Sequence, residues 1–330
     1  MNLDPNNNGL SRRQFLDRLT KTGLSITAAC TAGLWFHDSR GPLSSKLKPS
    51  NLALKDFSIG ALGQKMSIVR GEDRVATLGL ALKSLGGIET FVKKGDRVLL
   101  KVNAAFASPA MLSATTHPAI ISEMTQLCLR AGAASVVVTD NPINDPASCF
   151  TLTGIADAAR KAGAQVLLPR DDLFSPMTVN RAKLIRNWPV LYKPFTDITK
   201  VIGMAPLKDH HRSGASMTMK NWYGLLGGRR NIFHQDIHSI IMELAMMVKP
   251  SFVILDATTA MMTNGPTGGS LSDLKNTNTM IVSTDQVAAD AFGASLLGRS
   301  LDQLPFIGKA EAAGIGTADY LKLNPVMTSI

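Results

Sequence analysis

Cysteine is scarce in this chain: Cys30, Cys128 and Cys149 are all there is in 330 residues. They form no CxxC pair and no run with metal spacing. An iron–sulfur cluster held by this chain alone, which needs about four thiolates, is therefore not expected. A Cys128–Cys149 disulfide is chemically open in an oxidising compartment, and two inert buried thiols are the alternative. The sequence has no Gly-Lys-Ser/Thr loop and no Gly-x-Gly-x-x-Gly, so neither common phosphate-binding loop is present. Long apolar runs are also missing. The uncharged stretch from Thr22 to Phe36 is Ala/Thr-rich and falls short of the ~20 residues that span a bilayer as a helix. There is no internal repeat and no low-complexity tract. Acidic residues are few between 181 and 230, where Asp197 and Asp209 face ten Lys and Arg.

What is there fits a folded domain. The chain is 45% hydrophobic and 18% charged, enough to bury a core and too apolar to be disordered. Residues 1–45 read as a targeting segment with the start of a linker. Residues 46–330 suit one α/β domain or two intimate subdomains. The net charge is +10, and the excess gathers in the 181–230 block. That favours a small anionic partner. No nucleic-acid-binding motif accompanies it, so nucleic acid is not an expected partner.

Residues 38–66 carry Ser, Gly and Pro without a period and read as a linker. Beyond them strands alternate with helices. Arg97 to Asn103 reads as a buried strand, Pro118 to Ala131 as a helix, and Ala134 to Asp140 as the next strand, hence a parallel pair. Thr153–Ala162, Ile237–Val248 and Val287–Leu297 read as helices. Gln165–Pro169, Asp197–Ala205, Phe252–Asp256 and Thr279–Asp285 read as strands. The expected fold is α/β, a mainly parallel sheet with helices on both faces in Rossmann-like layers. A Gly-rich, basic insertion at 206–236 interrupts it.

In open parallel sheets, ligands bind at the carboxyl ends of the strands. Those ends carry Lys101 and Asn103, Asp140, Lys208 and His210, Asp256, and Asp285. His117 stands at a helix start beside Thr116, where it is either a cap or a ligand contact. His117, His210, Asp140 and Asp285 are the candidate acid–base groups. Lys101, Asn103, Thr116, Lys208, Lys220, Asn221, Arg229 and Arg230 are the candidate ligand-binding residues, because cations and amides recognise anions. Gly265 and Gly268 join them from the loop Asn264-Gly-Pro-Thr-Gly-Gly269, where backbone can approach a ligand closely. Trp222 and Tyr223 read as core packing, and His211 and His238 as surface or packing residues. His234 and Asp256 have metal-ligand atoms, so a divalent metal is a candidate cofactor, although no spacing matches a metal motif.

Taken in order, Lys101-Val-Asn103, Thr116-His117-Pro118, Pro206-Leu-Lys208-Asp-His210, Lys220-Asn-Trp-Tyr-Gly224, Gly265-Pro-x-Gly268, Ser283-x-Asp285-x-x-Ala288-x-Asp290 and Gly314-Ile-Gly316 resemble the family catalogued as domain of unknown function 362. The resemblance covers about residues 60–320. Val102 stands where Pro is frequent in the family, and Asp209 where Thr is frequent; neither change removes an ionisable group. The resemblance implies the fold and the positions of the site and no particular reaction. The expected function is that of an enzyme acting on an anionic small molecule at the strand ends, with or without a metal. A non-catalytic binding or redox-partner protein for an anion or metal is the alternative.

The string Ser11-Arg12-Arg13-Gln14-Phe15-Leu16 resembles a twin-arginine export signal, with Asp17 where Lys is usual. The resemblance implies the twin-arginine translocase as a partner, export of the folded protein, and a periplasmic or other extracytoplasmic location. No clear Ala-x-Ala cleavage site follows. Thr27-Ala28-Ala29-Cys30 is similar to a lipoprotein site with Thr27 in an unusual place. An uncleaved anchor, a lipid anchor and a soluble mature chain all stay open. Membrane contact is expected through this segment alone, if it is retained.

Overall fold

The computed structural model describes residues 12–35 and 52–330. The chain divides into two compact units, residues 1–47 and 48–330. In the first, Arg12–Trp35 forms helix α1, with Phe15, Leu16 and Leu19 exposed. Among the described residues, no helix is long and apolar enough to cross a membrane. Cys30, the cysteine of the string similar to a lipoprotein site, lies within α1.

In the second unit, β1 (Met66–Arg70) leads to α2 (Arg74–Ser84), β2 (Arg97–Lys101) to α3 (Pro118–Arg130), and β3 (Ser135–Thr139) to α4 (Pro146–Leu152) and α5 (Ile155–Lys161). Then come β4 (Gln165–Leu167), the hairpin strands β5 (Phe174–Met177) and β6 (Trp188–Leu191), and the long β7 (Lys200–His210). β8 (Gly214–Ser216), the short α6 (Thr218–Asn221) and α7 (Ile237–Met247) follow. The chain closes with β9 (Phe252–Met261), β10 (Leu274–Ser283), α8 (Gln286–Leu296), α9 (Pro305–Ala312) and β11 (Val326–Ser329).

Nine strands form one sheet in the order β11-β1-β10-β9-β7-β2-β3-β4, with β8 paired to β7. The pairs β9/β7, β7/β2, β2/β3, β3/β4 and β1/β11 are parallel. β10 is antiparallel to both β9 and β1. The fold is thus α/β, with a mixed sheet that is mostly parallel. Alternation along the strands feeds two cores. Val98, Leu100, Ile202 and Ile254 join Leu78 of α2, Ile121 of α3 and Ile155 of α5. Leu99, Val201, Val253 and Leu255 join Ile240 of α7, Val287 of α8 and Phe306 of α9. Helices therefore cover both faces, and each such fully buried aliphatic side chain contributes about 1.5–3 kcal/mol.

The helices start where the sequence permits. Asp73 accepts from the amides of Val75 and Ala76 at the start of α2. His117 accepts from Ala119 at the start of α3, with Pro118 in the first turn, and Asp285 caps α8. Such caps satisfy otherwise orphaned N–H groups.

Three expectations change. The expected linker reaches 66, yet Phe57 is buried, its amide donates to the Lys249 carbonyl at 3.0 Å, and Asp56 bridges Lys249. The insertion expected at 206–236 begins as strand: β7 runs on to His210 and pairs with β8. The strand expected to end at Asp256 continues to Met261, because β9 and β10 form an antiparallel hairpin. Cys128 and Cys149 are both free and buried, and burial pushes the Cys128 thiol up to about 12.

Candidate functional site

The carboxyl ends of β2, β3, β7 and β9 meet around a cleft of about 480 Å3. Asn103 follows β2, Asp140 follows β3, and Lys208 and His210 lie near the end of β7. Lys208 and His210 are two residues apart on a strand and so share a face. The far wall comes from residues 216–234, including Lys220, Asn221, Arg230 and His234. The β9–β10 loop adds Asn264 to Thr267.

Beneath the cleft, Lys101 is fully buried. Its ammonium sits 2.7 Å from Asp140 Oδ1 and donates to the carbonyls of Val102 (2.7 Å) and Asn221 (2.9 Å). The other Asp140 oxygen accepts from Ala104 N at 2.7 Å. The pair is matched in charge and anchored on both sides, which a buried pair requires. Asn221 locks the floor further, donating to the carbonyls of Lys101 and Met204. Gly224 closes over the pair: a Cβ there would stand 1.9 Å from Asp140 Oδ1 and 2.9 Å from Lys101 Nζ. Glycine is required by this close approach.

Lys208 and Lys220 have no carboxylate partner among the described residues. The Lys208 ammonium donates to the Ala114 carbonyl and lies 5.2 Å from the Phe106 ring centre. Lys220 faces the Tyr223 ring at 5.2 Å. Burial and the Lys220 charge hold Lys208 down to about 7, against the pull of Asp140. Burial and the Arg230 guanidinium hold Lys220 down to about 8. Desolvation disfavours the charged form of an amine, and a neighbouring cation adds to it.

Three imidazoles share the cleft. His210 stacks on His211 with ring centres 5.0 Å apart and 9° between planes, and on His234 at 6.0 Å and 13°. His210 Nδ1 accepts from the amides of Arg212 (3.2 Å) and Ser213 (3.3 Å). Its proton is therefore on Nε2. Burial, then the charge of Lys220, holds His210 down to about 2, so the ring stays neutral. His211 directs Nδ1 to the Gly265 carbonyl at 3.3 Å. Tyr223 gives its hydroxyl proton to the Arg230 carbonyl, so His234 Nδ1 donates toward Tyr223 Oη (3.1 Å) and the Asn231 carbonyl (3.2 Å). His211 and His234 thus keep a lone pair on Nε2, whereas His210 offers an N–H.

The loop 264–267 is tied to β7. Asp209 accepts from Gly265 N at 3.0 Å and pairs with Arg299. A Cβ on Gly265 would lie 1.9 Å from the Asp209 carbonyl oxygen, so this contact also demands glycine. On the other side, Asp290 of α8 accepts from Thr218 N (2.8 Å), Thr218 Oγ1 (2.6 Å) and Met219 N (3.1 Å). It fixes the start of α6, which carries Lys220 and Asn221.

The cleft therefore gathers Asn103, Asp140, Lys208, His210, Lys220, Asn221, Arg230, His234 and Gly265, with Lys101 directly below. Other candidates lie elsewhere. Thr116 is a buried brace: its hydroxyl accepts from Asn103 N and donates to the Met204 carbonyl. His117 caps α3 near Arg74 and Asp256, and burial and Arg74 hold it below its ordinary value. Asp256 lies mid-strand and pairs with Arg74 Nε at 3.0 Å. Asp285 follows the antiparallel β10, whose carboxyl end points to the opposite rim. There it accepts from Val287, Ala288, Gln64 and Thr317. Burial nevertheless pushes Asp285 up. Arg229 is exposed, and Gly268, at φ +59, closes the loop through a bond to the Asn264 carbonyl. Arg230 lines the cleft, but its guanidinium donates to the carbonyls of Tyr223, Leu226, Asn141 and Pro142. It supplies charge and rigidity rather than a free fork.

His234 and Asp256 do not converge. Nor do the stacked imidazoles form a chelate, because one ion cannot lie in the planes of two parallel, stacked rings. Among the described residues, no group of three or more His, Cys, Asp or Glu has a metal-holding arrangement. Sequence reasoning missed His211, Phe106, Tyr223 and Asn141 as cleft residues. The Lys-x-His alternation at 208–210 was the available signal, had that segment been read as strand.

A family model described as a domain of unknown function (DUF362) matches residues 98–295. A thylakoid-associated protein of Synechocystis sp. is 26% identical over 255 residues, covering 73% of this chain and 75% of that protein. Among solved structures, the lactate racemase apoprotein of Thermoanaerobacterium thermosaccharolyticum aligns at 12% identity with a TM-score of 0.41. The alignment takes in 74% of this chain and 58% of the racemase chain, and is too distant to carry residue roles across.

Proposed function

The chain belongs to the DUF362 family, and from that premise we propose that its cleft binds a small anionic molecule and performs acid–base chemistry on it. One observation carries this reading: Lys208 and Lys220 face one cleft without a carboxylate partner among the described residues, while Asp140 is already matched by Lys101. An anion supplies the missing charge. Its arrival also raises both lysines toward their ordinary values. Amines poised near 7 and 8 exchange protons readily at physiological pH, which simple anion storage does not need. Neutral His210 offers Nε2–H to negative charge that develops during reaction. Thermal-shift titrations with phosphate, acetate and succinate test the reading. A ligand at ~100 times its Kd stabilises by about 2.7 kcal/mol. The wild type is expected to shift upward and the Lys208→Met/Lys220→Met variant not to shift. Equal shifts in both proteins would refute the assignment.

The Ser11–Leu16 string supports a second part of the proposal: export of the folded protein by the twin-arginine route to an extracytoplasmic compartment. Arg12→Lys/Arg13→Lys is expected to hold the protein in the cytoplasm of its host, as read by fractionation. Unchanged export would refute it.

A further inference from the structure

The same cleft contains an amine arranged as a nucleophile. We propose that Lys220 forms an imine with the carbonyl carbon of a 2-oxo acid whose carboxylate rests against Lys208. The inference rests on the anion-binding reading and goes beyond it by naming a bond and a substrate class.

The geometry distinguishes the cations of the site from one another. Lys101 is committed to Asp140 and two carbonyls. Arg230 is committed to four carbonyls. Lys208 donates to the Ala114 carbonyl. The Lys220 ammonium has neither a hydrogen bond nor an ion pair among the described residues; its contact is the face of Tyr223. It is half-buried, lines the cleft and sits on α6, which Asp290 holds in place. An amine without an acceptor on an anchored helix, beside another cation and an aromatic face, matches the environment in which lysine acts as a nucleophile toward carbonyl groups.

Lys220 and Lys208 line the same cleft. A small ligand that meets both there offers a carboxylate to one and a carbonyl to the other. A 2-oxo acid has them on adjacent carbons, and a cleft of about 480 Å3 accommodates one.

The step balances without a further reagent. The neutral Lys220 amine attacks the carbonyl carbon, and the C=O π pair moves to oxygen; the nitrogen gives up one proton and the oxygen takes one, which leaves the neutral carbinolamine. A second proton reaches that oxygen, the C–O bond breaks, and water leaves. Overall, lysine ammonium plus ketone gives iminium plus water. The Lys208 ammonium and His210 Nε2–H are the cleft groups placed to serve the oxygen. In the empty cleft at pH 7.5 an amine held near 8 has on the order of a hundredfold more free base than an ordinary lysine; the bound carboxylate reduces that fraction, and the neutral form of Lys220 is the one that reacts.

The test is borohydride trapping of the full chain with pyruvate, followed by peptide mapping. In parallel, acetate binding is measured by calorimetry, because acetate has the carboxylate and lacks the ketone. A saturable carboxyethyl adduct on Lys220, exceeding that on any other lysine by roughly tenfold and absent in Lys220→Arg, is the expected result. Mapping of the wild type decides the site even if that variant folds poorly. Acetate binding without an adduct, or with the adduct on Lys208 or spread over surface lysines, overturns the imine and leaves the anion cleft standing. If neither acetate nor pyruvate binds, both readings fall.

Discussion

Replacing Asp140 by Asn should unmask the cost of keeping Lys101 under the cleft. The lysine is fully buried and meets Asp140 at 2.7 Å; without the carboxylate, its ammonium keeps the backbone carbonyls of Val102 and Asn221 and a longer bond to Asn221 Oδ1 at 3.4 Å. Breaking a buried pair from one side costs about 3–5 kcal/mol. Proton release sets a ceiling, because a neutral amine can still donate to both carbonyls. Deprotonating a lysine of ordinary pKa costs about 1.4 kcal/mol for each pH unit below ~10.4, hence roughly 5 kcal/mol at pH 7 and roughly 2 at pH 9. Burial already lowers Lys101, and removal of Asp140 lowers it further. The unfolded chain then binds more protons than the folded one, so the stability of the variant rises with pH. Urea unfolding at pH 7 and pH 9 reads this directly. The gap from wild type should be about 3–5 kcal/mol at pH 7 and should shrink toward 2 at pH 9. Lys101→Met/Asp140→Leu, which removes both charges, should lie much closer to wild type. A loss at pH 7 below about 1 kcal/mol that does not change with pH would refute the reasoning.

Gly224→Ala should force Asp140 off Lys101, since the new Cβ would stand 1.9 Å from Oδ1; urea unfolding should show a loss of about 1–3 kcal/mol, with weaker anion binding. Asp290→Asn should cost about 1–3 kcal/mol by setting an amide against Met219 N. Burial pushes Asp290 up to about 7, so its contribution is full below the ordinary carboxylate range and is lost as pH rises through 7. The Asn variant should lack that pH slope in thermal unfolding, and a slope identical to wild type would count against Asp290 as its source.

Much of the frame was legible in the sequence. Arg97–Asn103, Pro118–Ala131 and Ala134–Asp140 have clear periods and fold as β2, α3 and β3. Phe252–Asp256 and Thr279–Asp285 also read as strands, but a strand's period does not encode its direction. β10 returns antiparallel to β9, which sends Asp285 to the rim away from the cleft and leaves Asp256 inside the strand facing Arg74. Residues 206–210 were hidden for another reason. Pro206, Lys208, Asp209 and His210 are poor strand formers in isolation, and tertiary pairing with β8 and β9 overrides that preference. His211 looked peripheral because its role depends on the Gly265 carbonyl, 54 residues away. The positions of Arg230's four carbonyl acceptors are likewise set by the folded chain, so its charge could be read from the sequence and its rigid engagement could not.

Titration calorimetry with acetate in two buffers of different ionisation enthalpy tests the anion cleft most directly. If Lys208 and Lys220 hold the anion, binding at pH 7.5 takes up protons, because the charged lysines stabilise the complex. Affinity then falls as pH rises past 8, and Lys208→Met/Lys220→Met abolishes both effects. Binding that takes up no proton, keeps its strength at pH 9 and survives in that variant would contradict the cleft as the anion site.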